Sequence, residues 1–219
     1  MPAPQTFGQT TLSAFTERLA STDPTPGGGS AAAIAAALAG SLVTMVARLS
    51  LDRPKYAAYE ATHRRGLDAG EWARTRFLAL ADEDATAYQG FAEALRLPRE
   101  TEDQQRLRRE TMREAARRAS EVPLAMVREC HALMSEIEAL AGRSNLNAAS
   151  DLDVAAFLTE AAARGAGANV IVNLGSVEDD SYAGKRTAEL TGLLHEIEDG
   201  ASRVHRRVLQ GKLRDPEEA

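Results

Sequence analysis

The chain has almost no cysteine: Cys130 is the single one among 219 residues. A lone cysteine excludes a disulfide framework within the chain and has no partner at the spacing of a zinc site. The N-terminal residues also lack the basic start and apolar core of a secretory signal. These features predict a reduced protein with a cytoplasmic location.

Aromatic residues are scarce at 5%, and alternating runs of β-branched or aromatic side chains are missing. Apolar residues instead recur at steps of three and four over most of the chain. The content of 44% hydrophobic and 26% charged residues is typical of a soluble, helix-rich protein. We therefore predict an all-α fold, a single-domain up-and-down bundle of about six to eight helices spanning residues 1–219.

Excess positive charge is also absent, since the formal net charge is −6. Such a chain offers no broad basic surface to neutralise phosphates, so nucleic acid is not expected as a partner.

The uncharged stretch from Pro24 to Ala47 is long enough to cross a bilayer. It consists mainly of small residues that gain little on transfer to hydrocarbon, so we favour close packing in a bundle over a membrane role.

Local signals predict where helices begin. Thr11 and Thr101 have the spacing of helix caps, and so do Ser150 and Ser176. The helix that starts near Ser30 carries an apolar stripe with the residues Ala31, Ile34, Leu38, Leu42, Met45 and Leu49. A long helical pattern runs from Pro54 to about Leu95, and Pro123 predicts a kink or a fresh start in the helix that follows.

Asp84 continues the four-three rhythm of an apolar helix face that includes Phe77, Tyr88 and Phe91, so it is expected to point inward. Its neighbours Asp82 and Glu83 are rotated away, towards solvent. One interpretation is a structural carboxylate that pairs with an arginine or caps a neighbouring helix. The other is a carboxylate in an apolar pocket, where desolvation raises the pKa and suits proton transfer.

Asn169 and Asn173 lie one turn apart on a second helix face. Inward asparagines need hydrogen-bond partners, which either a neighbouring helix or a flat heterocycle with amide-like edges would supply. Ser150 and Asp151 are explained as a helix cap and a first-turn acid, although the polar run Ser144 to Asn147 before them is also compatible with a site.

Gly27, Gly28 and Gly29 lead into a helix N-terminus, which is suited to an anion or a polarised carbonyl. They match neither a Walker loop nor a dinucleotide fingerprint, so a flexible joint and a ligand loop remain open. The Glu60-x-x-His63 spacing is that of di-iron bundles, but no second copy is present, and no metal site is expected.

Five segments in order, "PTPGGGSAAA", "DEDATAY", "LRLPRET", "NLNAASDLDVAA" and "ANVIVNL", cover nearly the whole chain. Together they resemble the formimidoyltetrahydrofolate cyclodeaminase and methenyltetrahydrofolate cyclohydrolase family. The resemblance implies a free-standing, all-helical homodimer that takes a tetrahydrofolate derivative as its substrate and has no permanently bound cofactor. Asp84 matches the proton donor and acceptor proposed for the family.

The resemblance further implies which residues surround the substrate. Those expected to bind it are Gly27, Gly28, Gly29, Ser30, Lys55, Asn145, Ser150, Asp151, Asn169 and Asn173. Conversion of formimidoyltetrahydrofolate to methenyltetrahydrofolate and ammonia is the first expectation. The alternatives are hydrolysis of methenyltetrahydrofolate to formyltetrahydrofolate, and a helical protein that binds folate, or serves as a scaffold, without turnover.

Overall fold

The computed structural model describes residues 6–216, and within this range the chain forms α-helices and short 3-10 helices with no β-strand. The expected all-α bundle is confirmed. The α-helices are α1 (Leu12–Leu19), α2 (Gly28–Ser50), α3 (Glu60–Leu95), α4 (Glu102–Leu140), α5 (Ala149–Leu174) and α6 (Asp180–Gln210), and the 3-10 helices are Phe7–Gln9, Pro54–Tyr59 and Leu146–Ala148.

The four helices α2 to α5 form the core bundle. Helix α3 packs between α2 and α4, α5 packs against both α2 and α4, and α6 covers the outer side of α4 and α5. The centre is filled by aliphatic and small side chains, among them Val43, Leu80, Leu124 and Ile137, each fully buried. Burial of these side chains stabilises the fold by roughly 1.5–3 kcal/mol each, before conformational entropy is subtracted.

Helix α2 approaches α3 so closely that glycine is required at the contact. A Cβ added to Gly70 would lie 2.5 Å from Oγ1 of Thr44 and 2.7 Å from the carbonyl oxygen of Gly40. A Cβ on Gly40 would lie 2.9 Å from the backbone nitrogen of Arg74. Most of these atoms belong to the helix backbone, so moving them apart would cost considerable free energy.

The Gly70→Ala variant is therefore expected to lower the free energy of unfolding by about 1–3 kcal/mol, the usual cost of overpacking. The matched control is Gly184→Ala in α6, where an added Cβ meets nothing within 4 Å. Alanine is the better helix former, so this control should stabilise the protein slightly. Urea unfolding followed by circular dichroism measures both changes, and equal stability of the two variants would contradict the close contact.

The apolar stripe of α2 packs against the core of the chain only in part: Ile34 and Leu42 are half-buried against it, and the other large members are exposed. Leu38 is 53% exposed, and Met45 and Leu49 are also exposed, whereas the small residues Ala36 and Ala39 are buried. The close approach of α3 requires small residues where Gly40 and Thr44 meet Gly70. Leu38, Met45 and Leu49 lie on the outer face of α2.

Two helix starts agree with the predicted caps and two do not. The Thr11 hydroxyl accepts a hydrogen bond from the backbone of α1, and Thr101 forms a complete capping box with Gln104. Ser150 is not a cap, because the 3-10 helix Leu146–Ala148 runs directly into α5. Asp179, not Ser176, caps α6 and accepts a hydrogen bond from the backbone of Tyr182 at 3.0 Å.

Helix α4 continues through Pro123, so the prediction of a fresh start there was wrong.

Helix α2 is long and apolar enough to cross a membrane, and just over half of its most apolar window is buried inside the chain. Substantial burial of this kind also occurs in the core helix of a bundle.

Candidate functional site

A cavity of about 340 Å³ lies where the N-terminus of α2 meets the C-terminal third of α3 and the C-terminal half of α5. Asp84 projects into it from α3, and α4 contributes Ala119 to its wall. The cavity is lined by Pro24, Thr25, Gly27, Gly28, Gly29, Asp84, Ala87, Tyr88, Phe91, Ala119, Asn169, Val172, Asn173 and Ser176.

The glycine loop is what lets α2 reach the Asp84 carboxylate. A Cβ added to Gly29 would lie 2.3 Å from Oδ1 of Asp84 and 2.6 Å from its Cγ, a distance that real contacts do not show. An added Cβ on Gly28 would make only an ordinary contact, 3.8 Å from Nδ2 of Asn169. Gly29 therefore has a steric role at the site, and the flexible-joint interpretation of the loop is not sufficient.

Ser30 connects the loop to the carboxylate. Its side chain is fully buried, and its hydroxyl lies 3.2 Å from both Oδ2 of Asp84 and the carbonyl oxygen of Ala81. The hydroxyl has one proton to donate, so it is shared between these two acceptors. This contact fixes one carboxylate oxygen beside the first turn of α2, where the helix dipole favours negative charge.

Burial raises the pKa of the Asp84 carboxyl above its ordinary value, and hydrogen bonds from the hydroxyl and backbone of Ser30 oppose part of that rise. No lysine, arginine or histidine forms an ion pair with Asp84 within residues 6–216. The interpretation of an arginine-paired carboxylate is thus not what the structure shows. Asp84 both supports the start of α2 and presents an acid of raised proton affinity to a cavity.

The two asparagines lie on the opposite wall. Nδ2 of Asn173 donates to the carbonyl oxygen of Ala119 at 2.6 Å and so bridges α5 to α4, while Nδ2 of Asn169 donates to Gly165 within its own helix at 2.9 Å. The helix-bridging interpretation is confirmed for Asn173. Each amide also retains an oxygen with acceptor capacity at a wall of the cavity.

The family model of formiminotransferase-cyclodeaminase matches residues 11–192. The chain belongs to this family. A methenyltetrahydrofolate cyclohydrolase from Methylorubrum extorquens is 36% identical over 201 residues, which are 92% of the chain and 97% of that protein. The formimidoyltransferase-cyclodeaminase of Sus scrofa is 33% identical over 88% of the chain, and the match covers 36% of that longer protein.

A solved structure shows the same fold. The formiminotetrahydrofolate cyclodeaminase of Thermotoga maritima superposes with a TM-score of 0.84 at 28% identity, covering 93% of this chain and 98% of that one. The resemblance noted in the five sequence segments is thereby confirmed at the level of the family and of the fold. These relatives are named as enzymes of folate one-carbon chemistry.

Within this family member, seven of the expected site residues converge on the cavity. They are Gly27, Gly28, Gly29, Ser30, Asp84, Asn169 and Asn173; Ser30 takes part through its bond to Asp84, and the other six line the cavity directly. The remaining expected binders lie at the other end of α2: Lys55 follows α2, Asn145 lies between α4 and α5, and Ser150 and Asp151 are in the first turn of α5. The 23 residues of α2 separate the two ends by about 33 Å.

At that far end the polar residues have local partners. The backbone N–H of Asn145 donates to Oγ of Ser50 at 2.8 Å and its Nδ2 donates to the carbonyl oxygen of Leu49 at 3.1 Å. The ammonium of Lys55 lies 5.4 Å from the ring centre of Tyr56. Within one chain these residues do not reach Asp84, and their role in substrate binding stays a prediction.

The aromatic and aliphatic wall was not predicted as part of the site. Tyr88 and Phe91 were recognised only as members of the apolar face of α3, yet both line the cavity, and Val172 does so while 74% exposed. Their spacing from Asp84, at four and seven residues, was the available signal for the two aromatics. Val172 gave none, because periodicity within α5 does not reveal which helix lies opposite.

A larger groove of about 730 Å³ lies between α3 and α4, on the other side of Ala87. The carboxylates along it already have partners: Asp82 accepts the backbone N–H of Phe7, and Glu83 pairs with Arg76. The expectation that Asp82 points freely into solvent was thus incomplete. On chemical grounds the smaller cavity, with its unpaired acid, is the better candidate site.

The Glu60-x-x-His63 pair adds no chemistry to this cavity. His63 is buried near the far end of the bundle, with Nε2 2.7 Å from the carbonyl oxygen of Arg143. Within residues 6–216 no group of three His, Cys, Asp or Glu side chains is arranged to hold a metal ion.

Proposed function

We propose that this family member hydrolyses methenyltetrahydrofolate to formyltetrahydrofolate, with Asp84 as proton acceptor and donor. The observation that carries the proposal is the unpaired, partly desolvated Asp84 carboxyl facing a cavity beside the glycine loop. Support for this reaction comes from the cyclohydrolase relative, which matches over almost its entire length. Cyclodeamination was the first expectation from the sequence, and this match favours the reverse order.

In the proposed hydrolysis, water adds to the electron-poor methenyl carbon and the Asp84 carboxylate accepts a proton from it. A tetrahedral carbon results, bonded to both folate nitrogens and to the new hydroxyl. The bond to one ring nitrogen then breaks, Asp84 returns its proton to that nitrogen, and the hydroxyl proton leaves as the formyl C=O forms. A carboxyl with raised pKa suits both halves of this exchange.

Cyclodeamination is the second candidate, favoured by the Thermotoga maritima cyclodeaminase structure. Here the aniline-side nitrogen attacks the formimino carbon, and the departing nitrogen needs a proton to leave as ammonia. A protonated Asp84 supplies that proton, and burial raises the fraction of Asp84 that is protonated. The same residue thus serves either reaction at the same carbon.

The cavity dimensions suggest which part of the folate it holds. A volume of about 340 Å³ lies near the lower end for small-molecule sites, so it suits the bicyclic pterin and the reacting carbon better than the whole molecule. The acceptor oxygens of Asn169 and Asn173 would receive pterin N–H groups. The remainder of the folate would leave along the exposed side chains of Tyr88 and Val172.

Assays of the purified protein with both folates test the proposal. Consumption of methenyltetrahydrofolate with formyltetrahydrofolate as product supports hydrolysis, and release of ammonia from formimidoyltetrahydrofolate supports cyclodeamination. Tight binding of both folates without any turnover would contradict an enzymatic role and favour the binding protein. A cytoplasmic location and independence from a bound cofactor remain part of the proposal.

The pH dependence of hydrolysis is predicted from the same carboxyl. Because Asp84 must be ionised to accept a proton, kcat/KM should fall as the pH drops through its pKa, which burial places above the ordinary value of 3.8. The Ser30→Ala variant removes a hydrogen bond that lowers this pKa, so the acidic limb should move to higher pH. Profiles of kcat/KM against pH for both proteins test this, and an unmoved limb would show that Ser30 does not act through Asp84.

We also propose that the chain forms a homodimer through the outer faces of α2 and α5. Large apolar side chains are exposed on both helices, and because the two helices pack against each other we infer that these side chains form one surface. Those side chains are Leu38, Met45, Leu49, Val154, Phe157 and Ile171. A contiguous apolar surface of this kind usually marks an association site, and a second copy offers the same surface in return.

The Leu38→Glu variant is expected to convert the dimer to monomer, because it places an unpaired charge at the centre of the proposed interface. The matched control is Leu107→Glu on α4, where leucine is 59% exposed on another helix. Sedimentation velocity at about micromolar concentration distinguishes the outcomes. A monomeric unmodified protein, or a Leu38→Glu variant that remains dimeric, would contradict this interface.

A further inference from the structure

Four arginines surround a second cavity, of about 320 Å³, at the end of the bundle where α6 finishes. Arg203, Arg206 and Arg207 come from the last turns of α6, and Arg214 comes from the segment after it. We call this set the arginine cradle. It is a concentrated positive patch on a chain whose formal net charge is −6.

Backbone contacts hold the cradle in place. The N–H of Arg214 donates to the carbonyl oxygen of Gly142 at 2.8 Å, and the Tyr59 hydroxyl donates to the carbonyl oxygen of Arg214. Gly142 has a φ of 74°, a left-handed conformation that favours glycine. A Cβ on Gly142 would lie 2.9 Å from Cγ of Arg214 and 3.1 Å from Cδ of Arg207, so this glycine also leaves room for both side chains.

Within the part of the chain that the structure describes, ion pairs neutralise only one of the three cradle arginines that belong to α6. Glu138, at the cavity wall, pairs with Arg203 at 2.5 Å. Arg207 donates to the uncharged amide of Gln210 at 3.2 Å, and Arg206 is exposed. Within residues 6–216, no ion pair involves Arg206 or Arg207. The C-terminal dipole of α6 tolerates these cations but does not replace a carboxylate partner.

Adjacent guanidinium groups select a particular kind of ligand. Each presents a planar fork of N–H donors that matches two oxygens of a carboxylate or a phosphate. Several forks around one cavity favour an anion that carries more than one such group. We propose that the arginine cradle binds a small multivalent anion with neighbouring carboxylate or phosphate groups.

The cradle is separate from the cavity that Asp84 lines, which we call the folate cavity after its proposed ligand. Ala119 lines the folate cavity and Glu138 lines the cradle, and both belong to α4. They lie 19 residues apart, which at 1.5 Å per residue is about 28 Å along the helix. An anion bound in the cradle therefore does not touch Asp84, and the inference stands independently of the proposed reaction.

The test is calorimetric titration of the full chain with tripolyphosphate and, separately, with citrate, at low ionic strength. We expect the unmodified protein to bind one anion per chain. The double variant Arg206→Gln/Arg207→Gln should bind it with about tenfold or more lower affinity, because charge-assisted hydrogen bonds are stronger than neutral ones. The probe that binds more tightly tells whether the preferred groups are phosphates or carboxylates. Failure of the unmodified protein to bind either probe would overturn the proposal.

The matched control combines Arg96→Gln with Arg109→Gln, which removes the same charge from exposed arginines beside the loop that joins α3 to α4. This control should bind the probes as the unmodified protein does. If the control and the cradle variant lose the same affinity for the probes, binding depends only on net charge. That result would overturn the proposal of a specific site. Thermal unfolding of all three proteins verifies that the substitutions leave the fold intact.

Discussion

The Asp84→Asn variant is expected to turn over folate about 10²–10⁴ times more slowly than the unmodified protein, the usual contribution of a general acid or base. Asparagine has nearly the same shape and still accepts the Ser30 hydroxyl hydrogen bond, but it cannot take up or release a proton. The loss should therefore appear mainly in kcat, with little change in folate affinity. Steady-state assays with methenyltetrahydrofolate and formimidoyltetrahydrofolate measure both quantities.

The control for this variant is Glu83→Gln on the preceding residue. Glu83 pairs with Arg76 outside the cavity that Asp84 lines, so its loss should leave kcat nearly unchanged. A similar loss in both variants would point to a general effect of negative charge on α3. An Asp84→Asn variant that keeps most of its rate would show that Asp84 is not the catalytic acid or base.

In the Asp84→Asn variant, stability should change in the opposite direction from activity. Because the folded-state pKa of Asp84 is raised, the folded protein holds this proton more tightly than the unfolded chain. The free energy of unfolding consequently falls as pH rises through the window from the ordinary value to the raised one. The Asp84→Asn variant lacks that loss, so at neutral pH it should be at least as stable as the unmodified protein.

The Gly29→Ala variant is expected to reduce turnover by about 10²-fold or more, since a misplacement near 1 Å at a reacting group has costs of this order. A methyl group at this position would lie 2.3 Å from Oδ1 of Asp84, so either the carboxylate or the first turn of α2 must move. The substitution leaves every ionisable group in place. Its effect therefore isolates the positioning of Asp84 from its chemistry.

Gly90→Ala is the matched control, because an added Cβ there meets nothing within 4 Å although the residue lies on the same helix as Asp84. It should keep full activity and gain slightly in helix stability. A crystal structure of the Gly29→Ala variant should show the displaced carboxylate. Full activity with an undisturbed Asp84 would contradict the account of the glycine loop.

The sequence was sufficient to predict the residues that depend on local pattern. The rhythm of apolar positions on α3 placed Asp84 inward, and the run Gly27 to Gly29 before an uncharged helix indicated a helix N-terminus, with a flexible joint and a ligand loop both left open. Both features depend on helix geometry over a few turns, which sequence determines well. The cavity joins them because α2 and α3 are neighbours in the bundle.

Features that depend on the distance between helices were not predictable in the same way. Lys55 and Asn145 resemble family binding residues, yet α2 places them about 33 Å from the glycine loop. The stripe through Leu38 has the spacing of a core face, but Leu38, Met45 and Leu49 are exposed, whereas Ile34 and Leu42 pack against the core. Periodicity shows that a helix has an apolar face and does not show which surface covers it.

The central claim, that Asp84 and the glycine loop form the folate site, is tested most directly by a crystal structure with a bound tetrahydrofolate derivative. The account predicts that the pterin occupies the cavity beside Asn169 and Asn173, with its one-carbon position within about 3.5 Å of the Asp84 carboxyl or one water away. Folate bound in the α3–α4 groove or in the arginine cradle, with the Asp84 cavity empty, would contradict it.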